Sequence, residues 1–219
     1  SIWVPARFAK DAIFEAIDAE IKTVIVITER IPIHDMLFIR KKAEEKSVMV
    51  IGGNTPGVIS PGKCLVGMLP KIAFQPGRIG TVARSGAITY YIANTLNLAG
   101  LGESTSVGLG GDPVLGTNFE TILKVFEEDP DTEAVVLAGE IGGVYEEIAA
   151  PFIKTMKKPV IAFIAGKAAP KGKKLGHAGA IIEGSMGTAE SKIKTLSEAG
   201  ALISDTLKDI PELIKRVLG

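Results

Sequence analysis

Cysteine, histidine and aromatic residues are all scarce in this chain of 219 residues. Cys64 is the one cysteine, which excludes an internal disulfide and a cysteine-based metal cluster. Aromatic residues account for 5% of the sequence, and only two histidines occur, His34 and His177. Each histidine can therefore be judged on its own surroundings.

Net charge and long hydrophobic runs are also missing. The chain has 25 basic and 25 acidic residues, which argues against nucleic-acid binding as its main function. Its apolar runs, at residues 23–28 and 159–165, fall far short of the roughly 20 residues of a membrane-spanning helix. We expect a soluble cytoplasmic protein without a resident metal, located in the mitochondrial matrix if the source is eukaryotic.

Strand and helix patterns alternate along the whole chain, which predicts an α/β fold with a parallel sheet. The first block has predicted strands at residues 2–5, 23–28 and 48–51, separated by helices at 10–21 and 34–46. The second block has five predicted strands, at residues 78–83, 104–109, 133–138, 159–165 and 201–204. Helices between these five strands predict a doubly wound, flavodoxin-like sheet.

Residues 52–77 are rich in glycine and proline, so we predict loops there and a division of the chain after residue 76. The chain also opens directly on the strand-like residues 2–5, with Ser1 in place of an initiating Met. We therefore expect an N-terminally truncated fragment.

Glycines lie at or just after the carboxyl ends of the first four predicted strands of the second block, at residues 86, 108, 139 and 166. Ligands of open parallel sheets bind at the carboxyl ends of the strands, and glycine lets the backbone approach them closely. The Ser85-Gly86 turn opens a helix and so offers an anion site, although an ordinary helix cap explains the same two residues.

His177 lies in a glycine-bounded loop just after Lys171, Lys173 and Lys174. A neutral imidazole is a competent nucleophile, and beside a phosphate site it becomes a candidate phosphoryl carrier. Glu140 could fix its tautomer by accepting from one ring nitrogen. Each of these groups also has an ordinary structural explanation. The histidine could be a hydrogen-bonding turn residue, the glutamate an exposed loop charge, and the lysines a solvated surface. His34, beside Asp35, suits a helix cap or the surface.

Residues 169–181 resemble the phosphohistidine loop of succinate–CoA ligase α subunits, also called succinyl-CoA synthetase. The resemblance extends through the Gly-Glu-Ile-Gly-Gly sequence of residues 139–143 and through residues 187–190, 110–113, 84–86 and 27–32. It implies the C-terminal part of a CoA-binding, Rossmann-like domain at residues 1–76 and a flavodoxin-like ligase domain at residues 77–219.

The same resemblance implies a role for individual residues. His177 would carry the phosphoryl group, with Glu140 as its hydrogen-bonding partner. Phosphate, substrate and CoA would be contacted by residues that match the family's positions: Ser85, Gly86 and Ala87 for phosphate, Tyr90 for the carboxylate substrate, and Ile27, Thr28, Glu29 and Asn54 for CoA.

Three features depart from the family's pattern. The family's glycine-rich loop for the CoA nucleotide, which we expect in a segment before Ser1, does not occur in residues 1–219. Gly53 and Thr55 replace a familiar proline and cysteine, and Tyr91 stands where glutamate is common.

The implied enzyme is an acid–thiol ligase of the tricarboxylic acid cycle that joins succinate and coenzyme A at the expense of a nucleoside triphosphate. No P-loop occurs in the sequence. The resemblance therefore assigns the magnesium nucleotide to an ATP-grasp β subunit, with which this chain would form a heteromer. The alternatives are a related NDP-forming acyl-CoA ligase, an ATP-citrate-lyase-like module, a non-catalytic CoA-responsive subunit and a flavodoxin-like FMN carrier.

Overall fold

A computed structural model describes residues 1–167, 177–180 and 187–219. Its helices and strands follow one another in the order α1 (Ala6–Asp18), β1 (Thr23–Val26), α2 (Ile33–Glu45), β2 (Met49–Gly52), β3 (Gly57–Ser60), β4 (Cys64–Gly67), a 3-10 turn (Lys71–Ala73), β5 (Pro76–Ala83), α3 (Gly86–Leu98), β6 (Glu103–Gly108), α4 (Phe119–Glu128), β7 (Ala134–Glu140), α5 (Tyr145–Ile153), β8 (Val160–Ala165), α6 (Ala189–Glu198), β9 (Leu202–Ser204) and α7 (Ile210–Leu218).

Among the described residues, the main sheet has seven strands in the order β4-β3-β6-β5-β7-β8-β9. Strands β5 to β9 are parallel, and their spatial order is the 2-1-3-4-5 order of flavodoxin-like folds. The predicted fold class is therefore confirmed. All seven residues of the central strand β7 are buried, as expected of a strand covered by helices on both faces.

A second, two-stranded parallel sheet pairs β1 with β2. Val24, Val26 and Val50 face α1 and α2, and form one buried cluster with them. Ile25 and Ile51 point the other way and join the core of the main sheet. The alternation of side chains along β1 and β2 thus attaches the small sheet to the large one.

The predicted strand at residues 2–5 is wrong except for one bridge between Ile2 and Val26. Trp3 and Val4 are exposed, and Pro5, which has no backbone N–H, directly precedes α1. Two of the apolar side chains that suggested a strand, Trp3 and Val4, therefore lie on the surface, whereas Ile2 packs against the cluster of α1, α2, β1 and β2.

Residues 52–77, predicted as loops, contain the antiparallel hairpin of β3 and β4. Strand β3 also pairs with β6, with Val58 opposite Val107. The two strands have only four residues each and lie among turn-forming residues. For this reason the composition of the segment did not predict them. Because the hairpin precedes residue 76, the main sheet takes residues from both sides of that position. The division into residues 1–76 and 77–219 remains a prediction.

No helix in the described part of the chain is long and apolar enough to cross a membrane.

Glu103 is a buried acid at the start of β6, with 1% of its surface exposed. Neither carboxyl oxygen has a hydrogen bond of normal geometry to the described residues. Burial raises the pKa of Glu103 to about 7, and the nearby hydroxyls of Thr81 and Ser106 oppose this rise only in part.

We predict that Glu103→Gln makes the chain more stable at alkaline pH. The folded chain holds the Glu103 proton up to about pH 7, whereas the unfolded chain releases it near 4.5. Stability therefore falls as the pH rises through this window, by about 3 kcal/mol in total, and glutamine removes the loss. Urea unfolding of both proteins, from about pH 5 to about pH 8, measures the free energy of unfolding as a function of pH. Equal pH dependence in both proteins would contradict the prediction.

Candidate active site

The carboxyl ends of β5, β6 and β7 meet at one edge of the sheet. Strand β5 lies between the other two, so the direction of the strand order reverses here, and open α/β sheets bind ligands in the crevice at such a point. Arg84 follows β5, Asp112 lies in the loop after β6, and Glu140 ends β7. His177 reaches this edge from the segment that follows β8.

His177 and Glu140 form a hydrogen-bonded pair, with 2.7 Å between Nδ1 and Oε2. Their side chains are 25% and 10% exposed, respectively. The hydrogen bond to Glu140 raises the pKa of His177, and burial and the positive charge of Arg84 oppose this rise. When the ring is neutral, Nδ1 holds the proton that is donated to Glu140, and Nε2 keeps a free lone pair for attack.

The Glu140 carboxylate is held from its other side by Arg84, a residue with 4% exposure. Arg84 Nε lies 3.4 Å from Glu140 Oε1, and Nη2 lies 3.4 Å from the carbonyl oxygen of Asp112. The guanidinium group also lies 5.1 Å from the centre of the Tyr145 ring. No role was predicted for Arg84 from the sequence, although a cation directly after a buried apolar strand is a usable signal.

The imidazole of His177 packs flat against the backbone of Gly111. A Cβ at Gly111 would lie 2.7 Å from His177 Cδ2 and 2.8 Å from Cγ. The neighbouring Gly179 donates its N–H to the carbonyl of Gly111 over 3.2 Å. The missing side chain at residue 111 therefore gives the ring its place beside Glu140.

The N-terminus of α3 opens on this edge of the sheet. Ser85 is the N-cap residue, and its hydroxyl makes no capping hydrogen bond. Ser85 and Gly86 are partly exposed and Ala87 is exposed, so first-turn N–H groups face solvent at the positive end of the helix dipole. Tyr90, one turn further along, is 39% exposed and stacks on Tyr91.

The four residues matched to CoA contacts lie next to the loop that supports His177. Thr28 accepts a hydrogen bond at its carbonyl from the N–H of Asn54, over 2.8 Å, and Asn54 in turn accepts from the N–H of Gly111, over 3.2 Å. Ile27 is partly buried and Glu29 is exposed. Thus a short chain of backbone hydrogen bonds connects these residues to the surroundings of His177.

Asp112 makes a second connection between the same regions. Its Oδ2 accepts from the N–H of Arg30 over 2.8 Å, while Oδ1 is buried without a partner among the described residues. Burial raises the pKa of Asp112, and the N–H groups of Arg30 and Ile31 oppose this. Asp112 lies in one of the segments that resemble the family, but no role was predicted for it from the sequence.

The other histidine is not part of this geometry. His34 is exposed at the start of α2, where the sequence analysis expected it. Lys171, Lys173 and Lys174 lie outside the described residues.

Family models match most of the chain. Residues 82–202 match the CoA-ligase family, and residues 2–30 match the CoA binding domain. The chain is 56% identical to a succinate–CoA ligase [ADP-forming] subunit alpha 1 of Archaeoglobus fulgidus over 99% of its own length and 75% of that protein's. The chain belongs to the succinate–CoA ligase α-subunit family. The predicted resemblance is therefore confirmed.

Another member of the succinate–CoA ligase α-subunit family, from Methanothermobacter thermautotrophicus, is 53% identical over 100% of this chain and 74% of its own length. Among solved structures, an ATP citrate lyase from Methanosaeta concilii in complex with (3S)-citryl-CoA superposes with a TM-score of 0.90. Its identity is 26%, over 98% of this chain and 37% of that protein. The fold is thus shared beyond the family.

We predict that Glu140→Gln lowers the pKa of His177 towards its ordinary value of 6.5, because the carboxylate is the main cause of the rise. The ion pair stabilises the native fold below the unfolded pKa of histidine, and the stabilisation is lost as the pH rises through the raised native value. The variant lacks this contribution. NMR titration of the two histidines measures the pKa of His177, with His34 as the internal reference. An unchanged His177 titration would refute the assignment.

We also predict that Gly111→Ala displaces the ring of His177 and leaves the fold intact, because the atoms in the way belong to a side chain. A displacement of about 1 Å lowers the rate of a positioned reaction about 100-fold. Phosphorylation of His177 should fall accordingly, while thermal unfolding should change little. A fully active alanine variant would show that the ring does not depend on Gly111.

Proposed function

We propose that this chain is the α subunit of a succinate–CoA ligase and that His177 carries the phosphoryl group between nucleotide and succinate. The hydrogen bond from His177 Nδ1 to the buried Glu140 carries this proposal, because it leaves Nε2 as the nucleophile. The family membership supplies the reaction, which joins succinate and CoA while a nucleoside triphosphate is converted to its diphosphate and phosphate.

In the first step, the Nε2 lone pair attacks the terminal phosphoryl group of the nucleotide, and the nucleoside diphosphate leaves. The phosphorylated ring is a cation, and the carboxylate of Glu140 at Nδ1–H stabilises it. Arg84 supports this role because its buried positive charge lies 3.4 Å from Oε1 and pairs with the Glu140 carboxylate from the side away from His177.

In the second step, a carboxylate oxygen of succinate attacks phosphorus and the bond to Nε2 breaks, which gives succinyl phosphate and neutral His177. The CoA thiol, as thiolate, then attacks the acyl carbon and releases phosphate. We assign the phosphate to the α3 N-terminus at Ser85, Gly86 and Ala87, where free N–H groups and the helix dipole favour an anion. Tyr90 would contact the succinate.

We assign CoA to Ile27, Thr28, Glu29 and Asn54. The match of residues 2–30 to the CoA binding domain supports the first three. Their hydrogen-bonded connection to Gly111 supports a thiol arriving near His177. In this proposal residues 1–76 are the C-terminal part of the CoA-binding domain and residues 77–219 are the ligase domain.

The nucleotide and its Mg²⁺ are assigned to a partner β subunit with an ATP-grasp fold. The curated relatives are named α subunits, which supports a partner of this kind. The heteromer would work in the cytoplasm. Identities above 50% to succinate–CoA ligases, against 26% to an ATP citrate lyase, favour succinate as the acid.

We expect the chain to become phosphorylated on His177 when it is incubated with the β subunit and nucleoside triphosphate labelled at the terminal phosphate. The label should be acid-labile and base-stable, as a phosphohistidine is, and should vanish in His177→Ala. His34→Ala is the matched control and should be labelled like the native chain.

The proposal is overturned if the native chain takes up no label, or if the label persists in His177→Ala. Discharge of the label should require succinate, with succinyl-CoA formed when CoA is added. Discharge by citrate or acetate in preference to succinate would assign another acid.

A further inference from the structure

A fully buried lysine lies beneath the candidate active site and takes no part in the chemistry proposed above. Lys192 in α6 has no exposed surface. Its Nζ forms ion pairs with Glu146 Oε2 and, over 2.9 Å, with Glu147 Oε2. Burying charged groups is unfavourable and often adds nothing to stability even when they are paired. The cluster therefore calls for an explanation other than general stabilisation.

Glu146, with 1% exposure, uses both of its carboxylate oxygens. One of them, Oε2, binds Lys192, and the other, Oε1, accepts the backbone N–H of Glu140 over 3.1 Å. The side chain lies so close to Gly139 that a Cβ there would collide with Oε1. Only a residue with two acceptor oxygens serves the lysine and the Glu140 backbone at once.

Lys192 also connects the two chain segments that supply the pair of His177 and Glu140. Helix α6 begins at Ala189, shortly after His177, with Thr188 as its N-cap. The carbonyl of the preceding Gly187 accepts the N–H of Gly142, over 2.7 Å, just after Glu140. The ion pairs join α6 to α5, and this hydrogen bond joins the residue before the α6 N-cap to the loop just after β7.

We propose that Lys192 and Glu146 are positioning residues that hold the backbone of Glu140 so that its carboxylate reaches Nδ1 of His177. The inference rests on the proposed function only for its effect on phosphoryl transfer, since the positioning itself can be measured in the isolated chain. Lys192 sets the orientation of the Glu146 carboxylate, and Glu146 fixes the Glu140 N–H. Neither side chain touches the reacting atoms.

A double-mutant cycle tests this positioning. In Glu146→Gln a single amide oxygen replaces two carboxylate oxygens. Either the Glu140 N–H loses its acceptor, or the amide NH2 group faces the Lys192 ammonium, which then keeps only Glu147 Oε2 as its partner. In Lys192→Met the Glu146 carboxylate loses its buried counter-ion and its fixed orientation. In the double variant the amide oxygen is free to accept the Glu140 N–H, and no lysine competes for it.

We expect each single variant to lower the pKa of His177 in an NMR titration, and the double variant to restore it. With the β subunit present, the phosphorylation rate should fall about 10- to 100-fold in each single variant and recover in the double variant, by analogy with outer-shell residues of metal sites. KM for succinate and CoA should change little. His34 serves as the internal reference for the titration.

Lys158→Met is the matched control. Lys158 is half-buried near the start of β8, at the far end of the strand from the site, and its Nζ donates to the carbonyl of Phe126 over 2.6 Å. Its loss should lower the melting temperature without moving the His177 titration. Glu146→Gln is isosteric with the native residue, so it keeps the test available if Lys192→Met does not fold.

The proposal is overturned if the single variants keep the native His177 titration, or if the double variant is no better than the single ones. Failure of the phosphoryl-carrier function alone would look different. In that case the titration would still respond to the cycle, while no variant, including the native chain, would be phosphorylated.

Discussion

The hydrogen bond between His177 and Glu140 requires two groups from distant parts of the chain to meet within 2.7 Å. Glu140 comes from the end of a central strand, and its position is set by pairing with β5 and β8. His177 itself lies outside the helices and strands, so its position needs local support. Gly111 packs against the ring, and its carbonyl accepts the N–H of Gly179. The carbonyl of Gly187 accepts the N–H of Gly142. The rigid sheet therefore provides the carboxylate, and the loops bring the imidazole to it.

Charges of alternating sign surround this bond in a water-poor environment. Arg84 lies on one side of Glu140, and Glu146 with Lys192 lies behind its backbone. Interactions between charges are stronger here than at the surface because little solvent screens them. A phosphoryl group arriving on the ring would add negative charge, and the cation of Arg84 and the open helix terminus of α3 are the nearby groups that favour it.

Much of this arrangement could be predicted from the sequence because it depends on local patterns. Apolar runs and the glycines after them predicted the five parallel strands and the edge where they end, and the glycine-bounded loop singled out His177. The hairpin of β3 and β4 was missed because each strand has only four residues and lies among glycines and prolines, which predict loops. Arg84, Asp112 and Lys192 were missed because their roles come from burial and from contacts between separate elements. A lysine in an amphipathic helix looks solvent-exposed until its neighbours are known.

The hairpin also has a consequence for how the protein behaves among its own copies. Strand β6 would otherwise end the parallel sheet with an open row of N–H and C=O groups, which is a template for pairing with another chain. Strand β3 occupies that row, and the outermost strand becomes β4, which is four residues long and alternates exposed with partly buried side chains. The opposite margin is the three-residue β9. In the part of the chain that the structure describes, both lateral margins of the sheet are therefore short strands, which offer few free N–H and C=O groups to a neighbouring molecule and so disfavour edge-to-edge aggregation.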